Sequence, residues 1–261
     1  MSEHPLNNRR ALVTGASRGI GQAIALALAE AGANVVVSAR SLPPLEEVAT
    51  AIRQMGRECL VVPCDVADPQ QVATLASTII EAWGGVDILV NNAGVAGSHK
   101  FLNHPDELWH RMLAVNLTGV YYVTKALVPP MVSQKWGRII NIASIAGKTG
   151  ARYIAAYSAS KHGVLGFTRS LAMELVDYQI TVNAICPGYV ETPMTETNIA
   201  NIAARTGMSP AQVRHTLAHM SPQGRLIEPE EVAALTVYLA RDEARGITGQ
   251  AINVDGGTVQ W

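Results

Sequence analysis

The sequence predicts a doubly wound α/β fold, a seven-stranded parallel sheet with helices on both faces, in one domain spanning residues 1–261. Three observations predict it. Seven short runs rich in Val and Ile alternate with longer segments of helical period, the pattern of stacked βαβ units. The runs are almost continuously apolar, which suits strands covered on both faces rather than a half-wet antiparallel sheet. No repeat, low-complexity tract or linker interrupts the alternation.

The strands are expected at residues 11–14, 34–38, 58–62, 87–90, 137–142, 180–185 and 250–254. Helices are expected between them at 20–31, 45–54, 69–83, 107–129, 155–176 and 229–240. Asp68-Pro69 and Glu228-Pro229 give two of these helices a start signal, because proline fits a first turn whose N–H groups have no intrahelical partner. Residues 192–226 depart from the pattern. They carry helical pieces where a short connection would do, and insertions at the C-terminal edge of a sheet are usually functional, so this segment is read as a lid.

Composition removes several classes. Apolar residues make up 48% and charged residues 16%, which excludes a disordered chain. Twenty Lys and Arg against 21 Asp and Glu leave a net charge of -1, without the basic excess a nucleic-acid partner would call for. Cys59, Cys64 and Cys186 form no CxxC pair and are odd in number, so they are expected reduced in the interior. The seven histidines show no HExxH and no ligand spacing with cysteine, so no metal is expected; His215 and His219, four apart, are read as lid packing. No apolar stretch reaches membrane-spanning length and the N-terminus has no apolar leader core, so the expected location is the cytoplasm.

Directly after the first expected strand comes Thr14-Gly15-Ala16-Ser17-Arg18-Gly19-Ile20-Gly21, running into an alanine-rich helix. Glycines here let the chain turn tightly and bring backbone N–H groups to a pyrophosphate resting on the positive end of the helix. The spacing is Gly-x3-Gly-x-Gly rather than GxGxxG, and its position in the first βαβ unit makes it a Rossmann-type nucleotide turn. An NAD-specific site wants an acid at the end of the second strand to hold the ribose 2′-OH. The residues there are Ser38-Ala39-Arg40-Ser41. Arg40, with Arg18 from the turn, suits a 2′-phosphate instead, which favours NADP(H) over NAD(H).

Five motifs stand in order along the chain: Thr14 to Gly21, Asn91-Asn92-Ala93-Gly94, Ser144, Tyr157-Ser158-Ala159-Ser160-Lys161, and Pro187-Gly188. Together they resemble the short-chain dehydrogenase/reductase family over essentially the whole length. The resemblance implies that Ser144, Tyr157 and Lys161 are catalytic, joined by Asn116, whose implied role is to hold a proton-relaying water near Lys161. It also implies that Asp65 and Val66 meet adenine, that the turn Asn91, Asn92, Ala93 and Gly94 lines the ribose and nicotinamide side, and that Pro187, Gly188, Val190 and Thr192 close over the carboxamide. With Gly15, Ser17, Arg18, Gly19, Ile20, Gly21 and Arg40, and with Tyr157 and Lys161 themselves, these form the expected cofactor site.

The chemistry supports the same residues. Reducing a carbonyl leaves an alkoxide, so a site must supply a proton and stabilise developing negative charge. A free tyrosine, with a pKa of about 10, is poorly matched to that task near neutrality. Lys161 lies four residues after Tyr157, on the same helical face, where its ammonium can stabilise the phenolate. Ser144 can donate a hydrogen bond to the substrate oxygen. Asp65 and Asn116 each also have a local reading, as a turn cap and as backbone satisfaction at a helix bend.

Within the family the likeness is greatest to 3-oxoacyl-thioester reductases and aromatic polyketide ketoreductases, carried by residues 116–120, 157–166 and 180–194. Val95-Ala96-Gly97 departs from the Pro-Gly-Gly that the polyketide enzymes often have there. The implied activity is NADPH-dependent reduction of a ketone or acyl thioester to a secondary alcohol. The alternatives are a dehydrogenase of a free secondary or cyclic alcohol or hydroxy acid, and a nucleotide sensor with a dead site. The implied partners are an acyl carrier protein and further copies of this chain, as a homotetramer or homodimer. Met194, Ile199, Ile202, Met208, Leu217 and Met220 suggest an apolar pocket cover or ordinary helix packing.

Overall fold

Residues 4–261 are described by a computed structural model. Seven strands, β1 (Arg10–Thr14), β2 (Asn34–Ser38), β3 (Cys59–Val61), β4 (Ile88–Asn91), β5 (Gly137–Ile142), β6 (Ile180–Pro187) and β7 (Ala251–Val254), form one sheet in the order β3-β2-β1-β4-β5-β6-β7. Every pairing is parallel. The strand order reverses between β1 and β4, and in a sheet of this kind ligands bind beyond the carboxyl ends of the strands at that reversal.

The two-residue period of the strands sorts side chains to opposite faces. Val13, Val35, Val37, Ile88 and Ile140 pack with α1 (Gly19–Glu30), α2 (Leu42–Gln54) and α9 (Pro229–Ala240). Leu12, Val36, Leu89, Ile139 and Val182 pack on the other side with α3 (Pro69–Trp83), α5 (Gly119–Gln134) and α6 (Ala155–Leu175). All three cysteines are buried and free.

Most expected elements lie within a residue or two of the observed ones, and the differences have local causes. α2 begins at Leu42 rather than 45 because Pro43 and Pro44 occupy its first turn, where a missing N–H is no loss. β6 runs on to Pro187, which pairs with Val254. The single helix expected at 107–129 is instead α4 (Asp106–Leu113), a π-helical segment at Ala114–Thr118, and α5, which passes through Pro129 and Pro130 to Gln134.

Residues 192–226 form two helices, α7 (Pro193–Thr206) and α8 (Pro210–Ala218). Thr192 caps α7, accepting from Thr195 N at 3.3 Å, and Ser209 with Gln212 forms a capping box on α8. The stems of the segment are tied together, since Glu191 N donates to Ile227 O and Ile227 N to Tyr189 O, both at 2.8 Å. Its apolar residues divide. Ile199 and Leu217 pack with Val213 and Leu226, joined by Met208 and Ile202, whereas Met194 and Met220 are exposed.

Polar side chains also cross the buried layer. Asn91 Nδ2 donates to Thr124 Oγ1 on α5 and to Asn141 Oδ1 on β5, each at 2.9 Å. Asn141 Nδ2 donates to Thr168 Oγ1 on α6 at 2.9 Å. This chain of bonds fixes α5 and α6 against the two central strands, and every link is needed because a buried polar group without a partner is costly. Replacing Asn141 by Leu removes one acceptor from Asn91 and the donor to Thr168, leaving Asn91 with Thr124 and Thr168 with Val164 O. The expected loss in urea denaturation is about 1–3 kcal/mol, and an unchanged midpoint would show that the network carries no weight.

Candidate active site

At the carboxyl end of β1 the chain enters the glycine turn. Gly15 and Gly19 have φ of +66° and +57°, in the left-handed region where a side chain is strained. At Gly21 a Cβ would stand 2.2 Å from the carbonyl oxygen of Gly15, so the first turn of α1 can nest against the loop only without one. Asn92 holds the turn from the neighbouring strand: its Nδ2 donates to Thr14 O at 2.9 Å and Gly15 O at 3.2 Å. The N-cap of α1, Arg18, supplies no side-chain cap, and the first turn carries no acid. The amide donors there suit a pyrophosphate, which is the fit that a dinucleotide requires.

A single cleft of about 960 Å³ opens along the carboxyl edge of the sheet at the strand-order reversal. It is lined by every expected cofactor residue except Asn91 and by Ser144, Tyr157 and Lys161. Arg18 and Arg40 line one end, and among the described residues neither forms an ion pair. Asp65 Oδ1 accepts from Ala67 N at 3.0 Å, the local turn contact, and the residue also lines the cleft. Asn91 does not line it and belongs to the buried network.

Ser144 follows β5 in extended conformation, its Oγ accepting from Ala146 N at 3.1 Å. Tyr157 lies in the first turn of α6 and Lys161 one turn on. The Lys161 ammonium sits 5.8 Å from the centre of the Tyr157 ring and donates to Ile142 O at 2.8 Å. Burial pushes the Tyr157 phenol above its ordinary value, and a hydrogen bond with Ser144 pulls it back. Burial brings Lys161 down to about 8. Near neutrality the phenol keeps its proton and the lysine most of its charge.

Asn116 is the one expected catalytic residue outside the cleft lining. It is fully buried in the π-helical segment, a form that often marks functional positions. Its Oδ1 accepts from Val95 N at 2.8 Å, and its Nδ2 donates to Val95 O at 2.9 Å and to Ser160 Oγ at 3.1 Å. Ser160 Oγ in turn donates to Tyr157 O at 2.7 Å. Asn116 thus braces both the loop after Gly94 and the first turn of α6. A Cβ at Gly94 would lie 3.4 Å from Asn116 Oδ1 and 3.8 Å from Lys161 Nζ, so both side chains flank the same point of the chain.

A family model described as enoyl-(acyl carrier protein) reductase matches residues 15–259, and the motifs it spans are the ones that build the cleft. The chain belongs to the short-chain dehydrogenase/reductase family. A 3-oxoacyl-[acyl-carrier-protein] reductase of Synechocystis sp. is 44% identical over 96% of this chain and 97% of that protein. A D-beta-hydroxybutyrate dehydrogenase of Rhizobium meliloti is 40% identical over 95% and 98%. Among solved structures, an actinorhodin polyketide ketoreductase with NADPH matches with a TM-score of 0.94 and 41% identity, over 97% of this chain and 98% of that one.

The family motifs cover the end of the cleft at Ser144, Tyr157 and Lys161 and leave the rest of its lining to this chain. Ile145, Ile154 and Tyr189 line it near Tyr157, and Asn198, Asn201 and Arg205 line it from α7. Sequence reasoning missed these residues. Tyr189 stands between two expected cofactor residues, Gly188 and Val190, and the polar stripe on α7 has a helical spacing that a sequence can show. His162 is exposed, with Nδ1 2.9 Å from Ser158 O, and the His215 and His219 rings stack 3.9 Å apart. Among the described residues no group of His, Cys, Asp or Glu is arranged to hold a metal.

The crowding at Gly21 yields a direct check. Gly21→Ala must displace the Gly15 turn, so dinucleotide binding measured by fluorescence titration is expected to weaken at least tenfold, about 1.4 kcal/mol or more. Unchanged binding would remove the turn from the nucleotide site.

Proposed function

We propose that this protein is an NADPH-dependent reductase that converts a ketone into a secondary alcohol, its substrate a 3-oxoacyl thioester or a polyketide-like ketone. The carrying observation is the convergence of Ser144, Tyr157 and Lys161 on one cleft whose other end is an uncapped glycine turn flanked by two arginines.

Gly15 to Gly21 would hold the pyrophosphate, Arg18 and Arg40 the 2′-phosphate, Asp65 and Val66 the adenine, and Pro187, Gly188, Val190 and Thr192 the carboxamide side. NADPH when bound supplies the hydride. Ser144 positions the carbonyl oxygen, and Tyr157, protonated at neutral pH because its phenol is buried, gives it a proton as negative charge develops. Lys161 then faces a phenolate, which its ammonium stabilises. Asn116 acts through position: it keeps the loop at Val95 and the first turn of α6 in register, and its implied task of holding a water for Lys161 fits that place.

The thioester and polyketide substrates are supported by the 3-oxoacyl reductase and ketoreductase relatives and by the apolar lining at Ile145 and Ile154. The hydroxybutyrate dehydrogenase relative favours a second reading, oxidation of a free hydroxy acid. The neutral phenol favours reduction. We further assign the whole chain to one nucleotide-binding domain with a lid at 192–226, acting in the cytoplasm on small substrates, with an acyl carrier protein as delivery partner. Among the described residues no helix is long and apolar enough to cross a membrane. Exposed Tyr121 on α5 and Met173 on α6 support assembly into a homodimer or homotetramer through those helices.

Two measurements test this reading. Tyr157→Phe is expected to lower turnover of a ketone by about 10²–10⁴ while NADPH still binds; a variant keeping most of its activity would remove the proton donor. Because Lys161 loses its proton near pH 8, reduction is expected to hold level at neutral pH and decline as pH rises through about 8. The Lys161→Ala variant should lack that descending limb at its much reduced rate, and a wild-type profile flat to pH 10 would contradict the assigned role of the ammonium.

A further inference from the structure

The lid helix α7 turns a polar stripe toward the cleft. Met194, Asn198, Asn201, Ile202 and Arg205 all line it, at the spacing of one helical face. α7 starts beside the nucleotide turn, where Thr192 Cγ2 would lie 3.2 Å from a Cβ at Gly19. Arg205 stands twelve residues beyond Pro193, about 18 Å along the helix. The opposite wall is also defined, because Arg205 Nη1 donates to Ser98 O at 3.1 Å and Ser98 Oγ at 3.3 Å, and His99 N donates to Tyr153 O at 2.7 Å, just before the helix that carries Tyr157.

The charge pattern separates Arg205 from its neighbours. Arg214 pairs with Glu191 and Glu196, and Arg225 with Glu231, so these cations serve the lid itself. Arg205 has no carboxylate partner among the described residues, and its Nε and Nη2 have no acceptor there. Of the four cationic residues lining the cleft, Arg18 and Arg40 belong to the nucleotide end and Lys161 to the reacting centre. The only acid in the lining is Asp65, at the nucleotide end. The lid end is therefore a polar, cationic mouth on an otherwise apolar substrate channel.

We propose that Arg205, with Asn198 and Asn201, is a subsite for an anionic group that the substrate carries remote from its ketone, a phosphoryl group on a long acyl-thioester arm or a terminal carboxylate. The guanidinium offers the anion two free N–H directions, and the two amides offer further donors. A substrate with its anion beside the ketone would set that charge against Ile145 and Ile154, where Lys161 alone is cationic and already engaged. The subsite deepens the ketone-reductase reading and rests on it for the direction in which the substrate lies.

The test uses protein loaded with the oxidised cofactor, NADP⁺, which has no hydride to give a ketone, and two matched pairs of ligands titrated for binding: 4′-phosphopantetheine against pantetheine, and a medium-chain ketone bearing a terminal carboxylate against its methyl ester. Wild-type protein is expected to prefer the charged member of one pair by about tenfold. Arg205→Met should bring that preference close to one, and Arg205→Lys should keep part of it. The pair that responds identifies the source of the anion. The proposal is overturned if wild type shows no preference in either pair, if the preference survives in Arg205→Met, or if that variant weakens charged and uncharged ligands equally, which would leave Arg205 only a latch to Ser98. Turnover of acetoacetyl-CoA and of its uncharged N-acetylcysteamine counterpart is measured separately. If wild type reduces neither, the reductase reading fails while the titrations still decide the subsite.

Discussion

A phenol and an ammonium one helical turn apart, held together on the wall of one cleft, form the constraint around which this molecule is arranged. On an isolated helix such a pair would be a solvated surface feature of little consequence. Here it lies at the carboxyl edge of a parallel sheet, where β5 delivers Ser144 to one side and Ile142 O anchors the lysine. The buried Asn91, Asn141 and Thr168 chain fixes α6 from below, and Asn116 and Ser160 fix its first turn from the side. The positions of the reacting groups therefore depend on polar contacts inside the scaffold as much as on the groups themselves.

Burial also sets the protonation states. Removing the phenol from water favours its neutral form, and removing the ammonium from water makes it easier to deprotonate. Both shifts follow from one cause and suit a site that must release a proton and then hold the resulting negative charge. The nucleotide end works differently. Backbone amides at an uncapped helix start and two arginines that form no ion pair among the described residues offer fixed positive charge, which a phosphorylated nucleotide would complement without any proton changing place.

Much of this was legible in the chain itself. The two-residue and 3.6-residue periods locate the strands and most helices, since covered parallel strands and amphipathic helices leave strong local signatures. The glycine turn, the Tyr157 to Lys161 spacing and the arginines in place of an acid were readable for the same reason: each depends on residues close in sequence. What escaped depends on long-range contact. Nothing local marks Ala114–Thr118 as π-helical, and its Asn116 makes its contacts with the backbone of Val95 across the fold. The first Asn of the Asn91-Asn92 pair looks like part of the cofactor turn and proves to be scaffold, and Arg205 acquires meaning only when α7 is folded across the cleft. The lid methionines and isoleucines were ambiguous in sequence because packing and pocket lining draw on the same residue types, and the structure uses them for both.

The central claim is that the substrate's carbonyl oxygen meets the Tyr157 phenol and the Ser144 hydroxyl at the inner end of the cleft. A crystal structure of the protein with NADP and a secondary-alcohol product tests it most directly. The account requires the alcohol oxygen within about 2.6–3.2 Å of Tyr157 Oη and within hydrogen-bond reach of Ser144 Oγ. An alcohol bound with its oxygen away from both groups, or a nicotinamide ring seated remote from Tyr157, would contradict it.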